Sequence, residues 1–244
     1  MNSLVVIDGE GWEGGLITLI GERVRDLPES GRVAVGTCVK VARYGGDVGM
    51  ARVIAISGDR AELELYETWP SLALRPIDLV VGLSRPQTIK KVIQAAVMSG
   101  VRSLHFVHTE SGERSYLDSH ILRGDALALE IRKSLEQIWQ GKFPEILVHR
   151  NFGYFARNKL SDLVRSDRTL AVVAHPGGAS FDRVSHAGGH DSLVVGIGSE
   201  GGWSESELGE LERLGFARLG LGQRVVRVEL AVLYILGQSL VVFE

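Results

Sequence analysis

A chain of 244 residues, 45% hydrophobic and 23% charged, has the composition of an ordinary folded protein of one large or two modest domains, which excludes global disorder. Its net charge is −3, with 8 Lys and Arg against 11 Asp and Glu through Arg75 and 19 against 19 beyond it, so any contact with phosphates must come from a local patch and not from bulk charge. The single cysteine, Cys38, excludes an intramolecular disulfide framework and a cysteine-based zinc cluster; the longest apolar run, Leu230 to Leu236, is far short of a ~20-residue membrane span, and Met1 to Glu10 has no signal-like pattern, so a reducing, cytoplasmic setting without membrane is expected.

The first seventy residues read as short strands: Leu4 to Ile7, Leu16 to Ile20, Val33 to Ala42, Met50 to Ser57, and Glu62 to Tyr66, whose alternation suits a half-buried strand. Turn signals at Gly45-Gly46-Asp47 and Gly58-Asp59 separate them, which points to a small β-barrel ending in a linker from Trp69-Pro70 to Pro76. Beyond Pro76, apolar strands alternate with amphipathic segments, the pattern of a mostly parallel sheet covered by helices. The predicted elements are strand Ile77–Leu83, helix Thr88–Ser99 capped by Gly100, strand Leu104–Val107, a long helical region Ser119–Gln140, and strands Glu145–Val148 and Leu170–Ala174. Strand Leu193–Ile197 then feeds a glycine turn, a helix opened by the capping box Ser204 to Glu207 and closed by Gly215, strand Phe216–Leu221, and a largely apolar final helix Glu229–Val242. The domains are accordingly expected at 1–72 and 73–244, with no internal repeat.

The sharpest local signal is Gly196-Ile-Gly198-Ser-Glu-Gly201, a literal G-x-G-x-x-G between strand and helix. An NAD(P)-binding oxidoreductase is one reading, but it lacks the acidic residue expected about 20 positions on, since Phe216 to Arg224 contains none. A bare strand-to-helix turn is another, resting on glycine's freedom at positive φ. Neither accounts for a second glycine turn, Leu219-Gly220-Leu221-Gly222-Gln223-Arg224, again at a strand's C-terminal end, where α/β proteins bind ligands.

The segment Val195 to Glu207, followed by Leu221-Gly222-Gln223-Arg224-Val225-Val226-Arg227-Val228-Glu229-Leu230-Ala231, resembles the paired closing motifs of the RsmE family of SPOUT methyltransferases. Glu113-Arg114-Ser115, Glu136-Gln137, Pro144-Glu145-Ile146 and His175-Pro176-Gly177-Gly178 are similar to further family motifs, so the resemblance spans nearly the whole chain. It implies a PUA-like β-barrel RNA-binding domain, then a trefoil-knotted α/β SPOUT domain that works as a homodimer, takes S-adenosylmethionine without any metal, and methylates N3 of a uridine in small-subunit ribosomal RNA. The family commonly has proline at Ser199, arginine at Gln140 and threonine at Val228 and Leu230, so activity or target choice is open to change, and a non-catalytic RNA-binding member is the alternative outside enzymes.

On that resemblance the cofactor would be held by Ile197, Gly198, Gly201, Gly202, Leu221, Gly222, Val225, Val226, Arg227 and Ala231, with the two valines against the adenine. Methylation at N3 requires loss of the ring proton, for which Glu200 or Glu229 is the candidate base and Arg227 or Arg114 the candidate stabilising cation. An Arg227–Glu229 ion pair at a helix start is the structural alternative. His186-Ala-Gly-Gly-His190 has ligand-like spacing, but its glycines argue against a helix and no metal site is expected. His105 and His108 read as polar edge residues, Lys90 and Lys91 as a solvated helix face, and Arg157, Lys159, Arg165 and Arg168, near Phe152, Tyr154 and Phe155, as a basic cluster that is either an RNA surface or a solvated face.

Overall fold

A computed structural model describes residues 3–21, 24, 34–185, 189–239 and 242–243. It divides into two units, Met1–Ala73 with Ile131–Phe143, and Leu74–Glu130 with Pro144–Glu244.

The first unit is built on strands β1 (Leu4–Val6), β2 (Leu16–Ile20), β3 (Cys38–Arg43), β4 (Val48–Ser57) and β5 (Arg60–Trp69), in the order β1-β3-β4-β5-β2. Only β1 and β3 run parallel. The period-2 pattern does what a half-buried strand requires: Ala61 and Leu63 of β5 are fully buried beside Ile17, Val41 and Val53, while the intervening glutamates turn outward. The predicted linker is shorter than expected, because β5 continues through Trp69 and the next strand begins at Arg75. The strand expected from Val33 begins only at Cys38; Val33 itself lies outside the described residues.

Residues 131–143 pack with this first unit although the sequence division assigned them to the second domain. Their attachment is made of backbone and indole contacts that no periodicity announces. Glu136 O accepts from the Ser3 N–H at 3.0 Å, the Trp139 indole N–H donates to Val41 O at 3.0 Å, and the Lys40 ammonium lies 4.5 Å from the centre of the Trp139 ring.

The second unit carries a parallel sheet of β6 (Arg75–Gly82), β7 (Val101–Val107), β8 (Glu145–His149), β9 (Thr169–Ala179), β10 (Ser192–Ile197) and β11 (Ala217–Leu219), ordered β11-β9-β10-β6-β7-β8. Strands covered on both faces read as continuous apolar runs, and Leu79–Val81 and Leu193–Val195 are fully buried. Its helices are α1 (Pro86–Ser99), α2 (Gly124–Ile138), α3 (Phe152–Phe155), α4 (Ser161–Leu163), α5 (Phe181–Ser185), α6 (Glu205–Arg213) and α7 (Val228–Ser239); the last residues of α2 belong to the first unit by contact. Gly100 closes α1 in the left-handed conformation at φ 66°, donating to Ala96 and Val97 carbonyls.

Two expectations are corrected by the structure, and one stretch without a predicted element proves helical. The long helix from Ser119 is a 3-10 turn, His120–Leu122, followed by α2, which stops where Trp139 adopts φ 51°. The stretch Phe152–Leu163, unassigned from sequence, is helical, with α3 and α4 joined by a π-helical turn at Ala156–Leu160, and its Phe152, Phe155 and Leu160 enter the core. His105 is no edge residue: it lies buried in a polar row across β6, β7 and β8. Asp78, paired with Arg102, can only accept, so Ser103 Oγ–H donates to it at 2.6 Å; Ser103 Oγ then accepts from His105 Nε2–H at 2.9 Å, and His105 Nδ1 from His149 Nε2–H at 3.0 Å. Burial and the adjacent His149 push the His105 pKa down to about 4.

Candidate functional site

The C-terminal ends of β9 and β10 and the N-terminus of α7 surround a cleft of about 280 Å³. Its two walls are the glycine turns picked out in the sequence. Ile197 ends β10, and the chain doubles back at once: the Gly202 N–H donates to Ser199 O at 2.9 Å, and a β-bridge joins the two residues. Gly198 is required by this reversal, since a Cβ there would stand 2.7 Å from the Gly202 carbonyl carbon, and Gly202 sits at φ 74°. The opposite wall, Leu221 to Val226, is drawn to β9 by the Gly220 N–H donating to Ala179 O at 2.8 Å.

Gly198, Gly201, Gly202, Leu221 and Gly222 line the cleft together with Ile197, Val225, Val226 and Ala231, as does Glu200. Val225 is 91% exposed, an unusual placement for a valine and an apolar surface available to a ligand. Glu200 Oε1 accepts from the Arg85 N–H at 3.1 Å and from the Thr88 hydroxyl at 3.4 Å, which anchors the turn to the start of α1. Arg114 is outside the lining. It is exposed at the start of a 3-10 turn, just beyond Ser111, whose hydroxyl donates to Gly202 O at 2.6 Å. Its neighbour Glu113 is held below the usual carboxylate range by hydrogen bonds from Ser115 and Tyr116.

Arg227 and Glu229 line a separate groove between α1 and α7, with Lys91, Met98, Leu230 and Leu233. The alternative of an Arg227–Glu229 ion pair gives way to another: Glu229 binds the Lys91 ammonium at 3.0 Å, so Lys91 is not simply a solvated residue, and Lys90 likewise pairs with Glu130 at 3.0 Å. Burial opposes ionisation of Glu229, but its own backbone N–H at the start of α7 and Lys91 outweigh it and hold the carboxyl below its ordinary value.

Ala174, His175 and Pro176 were not singled out as site residues from sequence, and all three line the cleft. The signal available was their position, immediately after the apolar run of a parallel strand. His175 Nδ1 is shielded from solvent and has no hydrogen-bond partner among the described residues, an exception that asks for a ligand or water. His186 lies outside the described residues, among which no group of three metal-ligating side chains occurs. Of the basic cluster, Arg165 pairs with Asp162 and Arg168 with Asp191, whereas Arg157 lines a different cleft.

The dinucleotide reading fails on geometry. Gly196 lies inside β10, where an added Cβ would meet only ordinary contacts at 3.5 Å or more. The first turn of α6, which would receive a pyrophosphate, is satisfied by its own residues: Ser204 Oγ accepts from the Glu207 N–H at 3.2 Å and Glu207 Oε2 from the Ser204 N–H at 3.0 Å.

Residues 70–239 match the RNA methyltransferase domain family. Ribosomal RNA small subunit methyltransferase E of Treponema pallidum is 30% identical over 202 residues, covering 82% of this chain and 75% of that protein. Among solved structures, the ribosomal RNA small subunit methyltransferase E of Neisseria gonorrhoeae bound to S-adenosyl methionine superposes with a TM-score of 0.75 at 19% identity, covering 98% and 97% of the two chains. A Legionella pneumophila structure in complex with the cofactor SAM gives 0.78 at 18%, covering 100% of each. These two share the fold, which comprises an α/β unit with a parallel sheet and a unit built on a second, five-stranded sheet. The extent of the family match and the identity to the Treponema protein establish that this chain belongs to the RNA methyltransferase domain family, in its ribosomal RNA small subunit methyltransferase E branch.

Proposed function

We propose that the cleft binds S-adenosylmethionine and that the protein transfers its methyl group to N3 of a uridine in small-subunit ribosomal RNA. The observation that carries this reading is the convergence of the turns at 198–202 and 221–226 on one cleft at the end of β10. Both present backbone where a nucleoside needs close approach, Val225 and Val226 offer an apolar face for adenine, and His175 Nδ1 offers a polar contact that no described residue takes up. The Neisseria and Legionella structures hold the same ligand, which supports the assignment.

S-adenosylmethionine, when bound, supplies a methyl group already activated on a sulfonium. The chain's own tasks are to hold the uracil in line and to manage the N3 proton. Glu200 is assigned as the base: it is the carboxylate in the cleft lining, and its second oxygen has no partner among the described residues. Glu229 is less suited, being committed to Lys91. Arg227 and Arg114 remain the cations that would stabilise the uracil anion. Arg227 reaches that role through a homodimer: α7 and α1 expose Met98, Leu230, Leu233 and Tyr234, a face suited to a second copy of the chain. The first unit, chiefly residues 1–72, is read as a PUA-like RNA-binding domain and residues 73–244 as a trefoil-knotted methyltransferase domain.

Calorimetric titration at low salt with S-adenosylmethionine, S-adenosylhomocysteine and NADH tests the site. Binding of the adenosyl ligands without NADH is expected; binding of NADH alone would overturn the assignment. Glu200→Ala and Arg227→Ala are each expected to lower turnover on RNA with the fold intact, and unchanged turnover in both would refute their roles.

A further inference from the structure

We infer that a second cleft, at the C-terminal ends of β7 and β8, is a nucleotide subsite for single-stranded RNA next to the methyl-donor cleft; the inference rests on the RNA reading above. This cleft, about 510 Å³, is lined by His108, Asn151, Phe152, Gly153, Arg157 and residues of α6 from Ser206 to Arg213. One wall is the loop that begins at Thr109 and Glu110, and that same loop abuts the donor cleft through Ser111 and Gly202. RNA presenting a base to the donor cleft would have its neighbouring nucleotides within reach of the second.

The chemistry of the lining points the same way. Its carboxylates are already engaged: Glu207 takes the Glu110 and Ser204 N–H groups, Glu210 takes Arg213, and Glu110 takes the Ser206 hydroxyl. Arg157 has no carboxylate within ion-pair distance among the described residues, in contrast to Arg165 and Arg168. His108 Nε2 is screened from solvent and has no hydrogen-bond partner among the described residues. Tyr154 is not itself in the lining; it follows Gly153 on the same helical turn and is 64% exposed. An uncommitted guanidinium for a phosphate, an exposed ring for a base to stack on, and an unpaired imidazole nitrogen for a base edge or 2′-hydroxyl are the three contacts by which proteins hold unpaired RNA.

The test uses the full chain with a short fluorescein-labelled oligouridylate, read by anisotropy over a range of salt, and S-adenosylhomocysteine titrated in parallel as a control of fold and donor cleft. Arg157→Gln and Tyr154→Ala should each weaken RNA binding on the order of tenfold, and Arg157→Gln should also reduce the slope of log affinity against log salt by ~0.7, with S-adenosylhomocysteine bound as before. If the unaltered protein binds S-adenosylhomocysteine but not the oligonucleotide, the RNA reading itself fails. If it binds RNA and both variants do so equally well, with the same salt slope, the subsite alone is overturned. Joint loss of both ligands would assign these side chains to the fold and overturn it too.

Discussion

Gly198 marks where one atom decides access to the donor cleft. A methyl group there collides with the Gly202 carbonyl carbon at 2.7 Å, so either the turn opens or the cleft deforms. Gly198→Ala is therefore expected to cost on the order of tenfold or more in S-adenosylhomocysteine affinity, measured by calorimetry, and to lower the melting temperature. Unchanged affinity would mean that the turn does not shape the ligand site. The departures from the family pattern also become intelligible at this scale. Ser199, at a position commonly proline, is buried and accepts a hydrogen bond from the Thr109 hydroxyl at 3.3 Å, tying the turn to the neighbouring loop. Gln140, where arginine is common, accepts from the Leu72 N–H at 2.9 Å through its side-chain oxygen, a bond that a guanidinium, having only donors, cannot make. Sequence identified both departures but could not reveal these partners, which lie 90 and 68 residues away along the chain.

Helix α6 was legible because its signal is local. Ser204 and Glu207 lie three residues apart and form both hydrogen bonds of the capping box. Ser204→Ala should cost about 1 kcal/mol of stability in denaturant unfolding, and a cost near zero would show that the tertiary contacts of Glu207 hold the helix start unaided. Helix α7 was legible as a helix but not in its surroundings. Its apolar residues run around the whole circumference, with Val232, Ile235 and Leu236 buried while Leu230, Leu233 and Tyr234 are exposed. Only the fold separates those two faces. A homodimer through the exposed face predicts that Leu233→Glu shifts the protein from dimer to monomer in light scattering and lowers turnover, since Arg227 and Glu229 sit in the adjoining groove. A variant that remains dimeric would remove α7 from the interface.

At the scale of the whole molecule, the parallel sheet was readable from buried apolar runs, while the attachment of residues 131–143 to the first unit and the polar row of Asp78, Ser103, His105 and His149 were not. The reason is similar in both cases: backbone carbonyls, a lone indole and isolated polar residues carry no period, and their partners are fixed only once strands pair. That row makes stability depend on pH. His105 stays neutral in the fold down to about pH 4, whereas in the unfolded chain it ionises near its ordinary value of 6.5, so between these pH values the unfolded state binds more protons. Its contribution is complete above about pH 6.5 and declines as pH falls to 4, by on the order of 3 kcal/mol. Denaturant midpoints should fall over that interval, and His105→Gln should flatten the trend; an equally steep decline in the variant would place the titration elsewhere.

The proposed methyl transfer to uridine N3 is read out by incubating the protein with S-adenosylmethionine and small-subunit ribosomal RNA lacking the modification, then mapping the product by nucleoside mass spectrometry. The expected product is 3-methyluridine at a single position, absent when S-adenosylmethionine is withheld. No methyl transfer despite retained S-adenosylhomocysteine binding, or a methyl group on a different atom, would contradict it.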